Sequence, residues 1–97
     1  MAVALYFAPK SLSPAQYDEV SARLGAAGVM PPAGILSHCT FAAGPGGLHL
    51  FEIWESTEAF EAFAATLMPI LAELGIDVGR PMVTPVNSYF ATATDQG

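Results

Sequence analysis

Apolar and polar positions along the chain change their spacing from stretch to stretch, and the order of those changes predicts the elements. Ala2 to Phe7 is a short, apolar, β-compatible run that stops before Pro9, which predicts a first strand. Ser13-Pro14-Ala15-Gln16 then supplies an N-cap hydroxyl, a proline at the first helical position and a glutamine able to complete a capping box. Tyr17, Val20 and Leu24 follow at i, i+3 and i+7, with Asp18 and Glu19 off that stripe. Gly25 is placed to end this first helix in the left-handed conformation. Gly28 to Gly34, which contains Pro31-Pro32, reads as a connecting loop.

Ile35 to Ala43 and Leu48 to Glu55 are β-prone runs on either side of Gly44-Pro45-Gly46-Gly47, a composition that predicts a hairpin. Ser56 is the next N-cap, and Glu58 and Glu61 put negative charge in the opening turns, where the helix dipole favours it. Phe60, Phe63, Ala64, Leu67, Leu71 and Leu74 recur at helical spacing, so a second helix starts at Thr57 and ends at Gly75. Pro69 removes one backbone donor from it and predicts a kink or a restart. Pro81 to Phe90 returns to β character, with Pro85 suited to an edge strand, and the last few residues read as disordered. The order β-α-β-β-α-β suggests one α+β domain over residues 1–97, with an antiparallel sheet and both helices on one side.

Strand alternation then divides the side chains between two faces. Along the third strand, Phe51 and Ile53 form a purely apolar set expected to face the helices. Leu48, Leu50, Glu52 and Trp54 form the other set, which carries a carboxylate that a helix-packed core excludes unless it is paired. That set is expected on the open side, covered by a second subunit and lining a cavity. On the first strand Val3, Leu5 and Phe7 face the helices, which leaves Tyr6 beside Glu52 and Trp54. The last strand, with Asn87 and Tyr89 on one face and Thr84, Val86 and Ser88 on the other, does not declare its orientation.

Composition strengthens the case for a partner. Hydrophobic residues make up 53% of the chain and charged residues 12%, more apolar surface than one small core readily hides. A net charge of -6 repels phosphate backbones, so nucleic-acid binding is not expected. No apolar run approaches bilayer length and the N-terminus lacks a basic n-region, so the expectation is a soluble cytoplasmic protein with no membrane partner. Cys39 is the one cysteine and reads as buried and structural. No spacing fits a zinc site, a P-loop, a dinucleotide fingerprint or a nucleophile elbow.

The segment Glu52-Ile53-Trp54-Glu55-Ser56, followed by Glu58-Ala59-Phe60, resembles the strand-to-helix junction of the antibiotic-biosynthesis-monooxygenase-like family. The resemblance covers nearly the whole chain. It implies a ferredoxin-like fold in which two four-stranded sheets meet face to face in a homodimeric α/β barrel around pockets. Tyr17 and the Leu67-x-Pro69 segment resemble an actinobacterial-type branch whose members mostly lack an assigned activity. That branch usually reads Pro-Val-His-Asn in the last strand, whereas this chain reads Pro85-Val86-Asn87-Ser88. The family includes cofactor-free oxygenases of polycyclic phenols and haem degraders, both with a pocket tryptophan that Trp54 resembles by position. Haem degraders also need an axial histidine on a helix, and neither His38 nor His49 falls on a predicted helix, so no cofactor is expected.

These readings give a candidate site. Trp54 either stacks on an aromatic substrate or fills an interface. Glu52 acts either as a general base, partial burial disfavouring its charged form, or as one half of a structural pair. His38 is a proton shuttle or a hydrogen-bonded core or rim residue, according to hairpin register. A four-residue loop directs it to the helices beside Ile53. An odd-length loop or a bulge sets it on the face of Glu52 and Trp54, the arrangement that the resemblance favours. His49, near the turn, is expected to be solvated. The candidates are therefore His38 and Glu52 for catalysis and Tyr6, Trp54 and Asn87 for binding a small aromatic ligand. Two functions remain open: a cofactor-independent monooxygenase of phenolic substrates, and a non-catalytic ligand-binding or accessory protein whose barrel is filled by side chains.

Overall fold

The computed structural model describes residues 1–91. The expected disorder of the last few residues lies outside that range. Six elements follow in the predicted order: β1 (Val3–Phe7), α1 (Pro14–Ala26), β2 (Ile35–Ala42), β3 (Leu48–Trp54), α2 (Thr57–Glu73) and β4 (Met82–Pro85). The sheet is antiparallel with strand order β2-β3-β1-β4. This is a ferredoxin-like α+β fold, and β4, with Pro85 at its end, is an edge strand as its proline requires.

Local chemistry explains where the helices begin. Ser13 Oγ accepts from the Gln16 amide at 3.1 Å, and Gln16 Oε1 accepts in return from the Ser13 amide at 2.9 Å, closing the capping box. Ser56 Oγ caps α2 by accepting from the Ala59 amide at 3.1 Å. One helix end and one helix interior depart from expectation. Helix α1 runs past Gly25 to Ala26, and the left-handed residue after it is Gly28, at φ 75°. Helix α2 continues through Pro69 without a break and stops before Gly75, at φ 70°. A proline costs a helix one donor, and the flanking turns with Leu67 and Leu71 packed into the core hold the rest in place.

The β2–β3 hairpin fixes the faces. Ala42 pairs with Leu48, so the connecting loop is odd in length, and His38 stands opposite Glu52. A register shift between Ile35 and Ser37 adds Leu36 to β2, which lets Ile35 reach the same face as His38. Glycine is required at Gly47, where φ is 93° and a Cβ would collide with the Leu12 carbonyl oxygen. The Leu48 amide donates to that same oxygen at 2.8 Å, so the chain before α1 is clamped onto the hairpin end.

Both helices cover the face that carries Val3, Leu5 and Phe7, as predicted for β1. The prediction for β3 is reversed. Val3 stands opposite Trp54, Leu5 opposite Glu52 and Phe7 opposite Leu50, so the set containing the carboxylate is the helix-facing one. Trp54 is wholly buried against Phe60 and Phe63 of α2, with ring centroids 5.5 Å away in each case. Its cover is a helix of its own chain and not a second subunit. Pairing geometry decides this: directly opposed residues share a face, so the unambiguous β1 dictates the face of β3. Phe51, 37% exposed, lies on the open face with Tyr6. Cys39, opposite Phe51, is exposed and not buried, because no helix covers that face. The last strand is shorter than expected and ends at Pro85; Tyr89 Oη, beyond it, donates to the Leu36 carbonyl at 3.1 Å.

Candidate functional site

A carboxylate is costly under a helix layer unless each of its oxygens finds a donor. Glu52 is 7% exposed, and both oxygens are met. Trp54 Nε1–H donates to Oε1 at 2.9 Å, and His38 Nδ1 lies 2.9 Å from Oε2. An ionised carboxylate is acceptor-only, so Nδ1 carries the hydrogen in this pair. Nε2 of a neutral His38 is then an acceptor, and Tyr17 Oη, 2.7 Å away, donates to it. The result is a continuous chain, Tyr17 to His38 to Glu52 to Trp54, that links α1 to β2 and β3. The Tyr17 and His38 rings also stack, with centroids 6.0 Å apart. Burial raises the pKa of the Tyr17 hydroxyl above its ordinary value of 10.0, and the nearby Glu52 and Asp18 charges push it the same way, against a hydrogen bond with Ser21 that lowers it.

This chain forms one wall of a partly enclosed cavity of about 210 Å³ between the sheet and the helices. Leu24, Leu50, Phe63, Leu67 and Leu71 supply apolar walls, and the polar lining comes from Tyr17, Ser21, His38 and Glu52. Among the described residues, neither Lys nor Arg lines it. Chemically, the arrangement is a histidine oriented by a carboxylate, with a tyrosine hydroxyl between the imidazole and an apolar space. Among the described residues, no group of three or more His, Cys, Asp or Glu side chains is placed to hold a metal ion. No helix among them is long and apolar enough to cross a membrane.

Of the predicted site residues, His38, Glu52 and Trp54 are brought together. His38 takes the face of Glu52, which is the helix face. Trp54 does not line the cavity; it holds Glu52 from behind. Tyr6 stands on the opposite side of the sheet, where its hydroxyl is hydrogen-bonded to Nδ1 of His49, and Phe41 packs beside both rings. His49 is thus half-buried and partnered, where solvation was expected. Asn87 is exposed beyond the end of β4. Sequence reasoning left Tyr17 out of the site. Its signal was present: a hydroxyl at the head of an otherwise apolar helical stripe must find a partner once that stripe is buried.

No protein-family model and no curated protein matches the chain. Solved structures do. A protein assigned as an antibiotic biosynthesis monooxygenase from Chloroflexus aurantiacus J-10-fl superposes with a TM-score of 0.61 at 19% identity, over 93% of this chain and 98% of that one. SnoaB, a cofactor-independent oxygenase from Streptomyces nogalater, gives 0.57 at 17% identity, over 94% and 96%. The ActVA-Orf6 monooxygenase of Streptomyces coelicolor, in complex with nanaomycin D, gives 0.52 at 21%, over 94% and 92%. The fold is that of the antibiotic biosynthesis monooxygenases, and at these identities the likeness is one of fold.

Proposed function

We propose that this chain is a small-molecule-binding protein of the cofactor-independent monooxygenase kind, acting on an aromatic, phenolic substrate in the cavity beneath α1 and α2. One observation carries the reading: the Glu52–His38 pair, whose two hydrogen bonds fix the imidazole tautomer, stands at the polar end of an apolar cavity. The phenolic proton leaves through Tyr17 to Nε2 of His38, and Glu52 stabilises the imidazolium that forms. The electron-rich anion is oxidised by oxygen to a quinone: a ring carbon exchanges its hydrogen for one oxygen atom, and the ring and phenolic hydrogens with the substrate's own electrons carry the other oxygen atom away as water. Trp54 acts by holding Glu52. The SnoaB and ActVA-Orf6 likenesses support this chemistry by analogy of fold.

A second reading, ligand binding without turnover, draws on a specific observation as well. Nε2 of His38 is already engaged by Tyr17, so the acceptor nitrogen of the base is not open to a ligand. Oxygen uptake with hydroquinone-type compounds separates the two. The oxygenase predicts uptake by the wild type that falls by about 10²-fold or more in His38→Ala. Bound ligand without uptake overturns the oxygenase in favour of the binding protein.

The proposal includes a homodimer joined through the open sheet face. Phe41, Phe51 and Met82 are 40%, 37% and 64% exposed on a face whose paired positions carry no acidic, Lys or Arg side chain. A second copy meets no like charge there. Sedimentation is expected to give a dimer that Phe51→Asp converts to a monomer, and a wild-type monomer at micromolar concentration sinks this part of the proposal.

A further inference from the structure

The open face of the sheet carries, among the described residues, one histidine, the residue type whose charge changes between about pH 5 and 8. That residue, His49, sits inside the apolar patch. Phe41 stands opposite it on β2, and Phe51 lies two residues along on β3. Tyr6, bonded to its Nδ1, stands on β1 opposite Met82 of β4. A cover that shields Phe41, Phe51 and Met82 therefore shields His49 as well. The imidazole is half-buried in the single chain and loses its remaining water when a second copy closes over the patch.

Burial costs an imidazolium far more than a neutral imidazole unless an anion is brought to it. The open face brings none. Its other titratable groups are Tyr6 on β1 and Cys39 on β2, neither of them a carboxylate; β3 adds Phe51 and Ile53, and β4 adds Met82 and Thr84. The chain from Pro9 to Leu12, clamped to the hairpin end, contributes Lys10 and no acid. A second copy presents the same face, so it supplies no counter-charge and adds an imidazolium of its own. The rings of Tyr6 and Phe41, with centroids 5.5 and 5.9 Å from that of His49, belong to the same chain and attract a cation in the monomer and the dimer alike, so they do not offset the loss of water. His38 is placed in the opposite way, since an imidazolium there meets Glu52 of its own chain at 2.9 Å.

We infer that His49 is a pH switch for self-association: neutral, it is accommodated between two copies, and protonated it drives them apart. The inference rests on the homodimer proposed above and adds its regulation. Each chain takes up a proton at His49 as the pair separates, so the dimer is lost as pH falls.

Sedimentation of the full chain at pH 7.5 and pH 5.5 tests it. The dimer dissociation constant of the wild type is expected to rise at least about tenfold at the lower pH. In His49→Gln, which keeps a polar group for Tyr6 and has no charge to gain, it is expected to change by less than about threefold. A second measurement needs no variant: the His49 ring resonances, followed by NMR through the same range, are expected to titrate at lower pH in concentrated than in dilute protein, because the dimer disfavours the proton. A wild-type dimer equally tight at both pH values, a pH response that survives His49→Gln, or a titration midpoint independent of protein concentration overturns the switch and leaves the dimer standing. A wild-type monomer at pH 7.5 removes the dimer and the switch together, so the two failures are distinguishable.

Discussion

Each face of the sheet presents a histidine hydrogen-bonded to a tyrosine, and the two pairs differ in what stands behind them. On the face beneath the helices, Tyr17 meets His38, which is held in turn by Glu52 and through it by Trp54. On the open face, Tyr6 meets His49, and among the described residues no carboxylate reaches that imidazole. An unbacked histidine is free to take either tautomer. A backed one is a directed acceptor. The same pair of residue types is therefore a relay on one side and, on the other, a polar knot within an aromatic patch.

The contrast is tested most severely at Trp54. Trp54→Ala empties a fully buried site, removes the donor to Oε1 and is expected to cost about 3–5 kcal/mol in chemical denaturation. Met68→Ala, on the exposed side of α2, is expected to stay within about 0.5 kcal/mol. Comparable losses would mean that Trp54 is not the anchor of the covered face.

Glu52→Ala leaves the Trp54 indole and His38 Nδ1 without their acceptor, and the expected loss is about 1–3 kcal/mol. His49→Ala breaks a single bond at a half-buried site and is expected to cost about 1 kcal/mol or less. If denaturation curves show the two variants equally stable, the carboxylate is not what distinguishes the faces.

Tyr17→Phe and Tyr6→Phe sharpen the comparison, because each deletes one hydroxyl bonded to a histidine. Both are expected to lose about 0.5–1.5 kcal/mol of stability. Ligand affinity is expected to change in Tyr17→Phe alone. Equal changes in affinity would place the site on both faces or on neither.

The smallest effect is in the alkaline range. Burial raises the Tyr17 pKa, so the folded chain holds that proton more tightly than the unfolded chain does. The corresponding stability is present in full below the ordinary value of 10.0 and is lost as pH rises through the raised one. Between those two values the wild type is expected to lose stability more steeply than Tyr17→Phe in pH-dependent denaturation. Parallel curves would contradict the burial of this hydroxyl.

Sequence by itself determined what depends on near neighbours. Ser13 with Gln16 and Ser56 with Ala59 start the helices where their spacing predicts, since a cap is a bond across three residues. Val3, Leu5 and Phe7 declared their own face, because every residue of that set is apolar. The strand-to-helix run from Glu52 to Phe60 pointed to the right fold. Tertiary structure alone decided which face Glu52 and Trp54 take, since their set mixes apolar residues with a charge, and local pattern assigns such a set to neither side.

Three remote groups made a buried carboxylate tolerable: β1 imposed the register, a five-residue loop put His38 opposite Glu52, and α2 supplied Phe60 and Phe63 to cover Trp54. Tyr17 entered the site for the same reason, its partner lying across the fold on β2. Whether a polar group is satisfied is a property of assembled elements, and that is why the chain's local pattern revealed the scaffold and left the site to the fold.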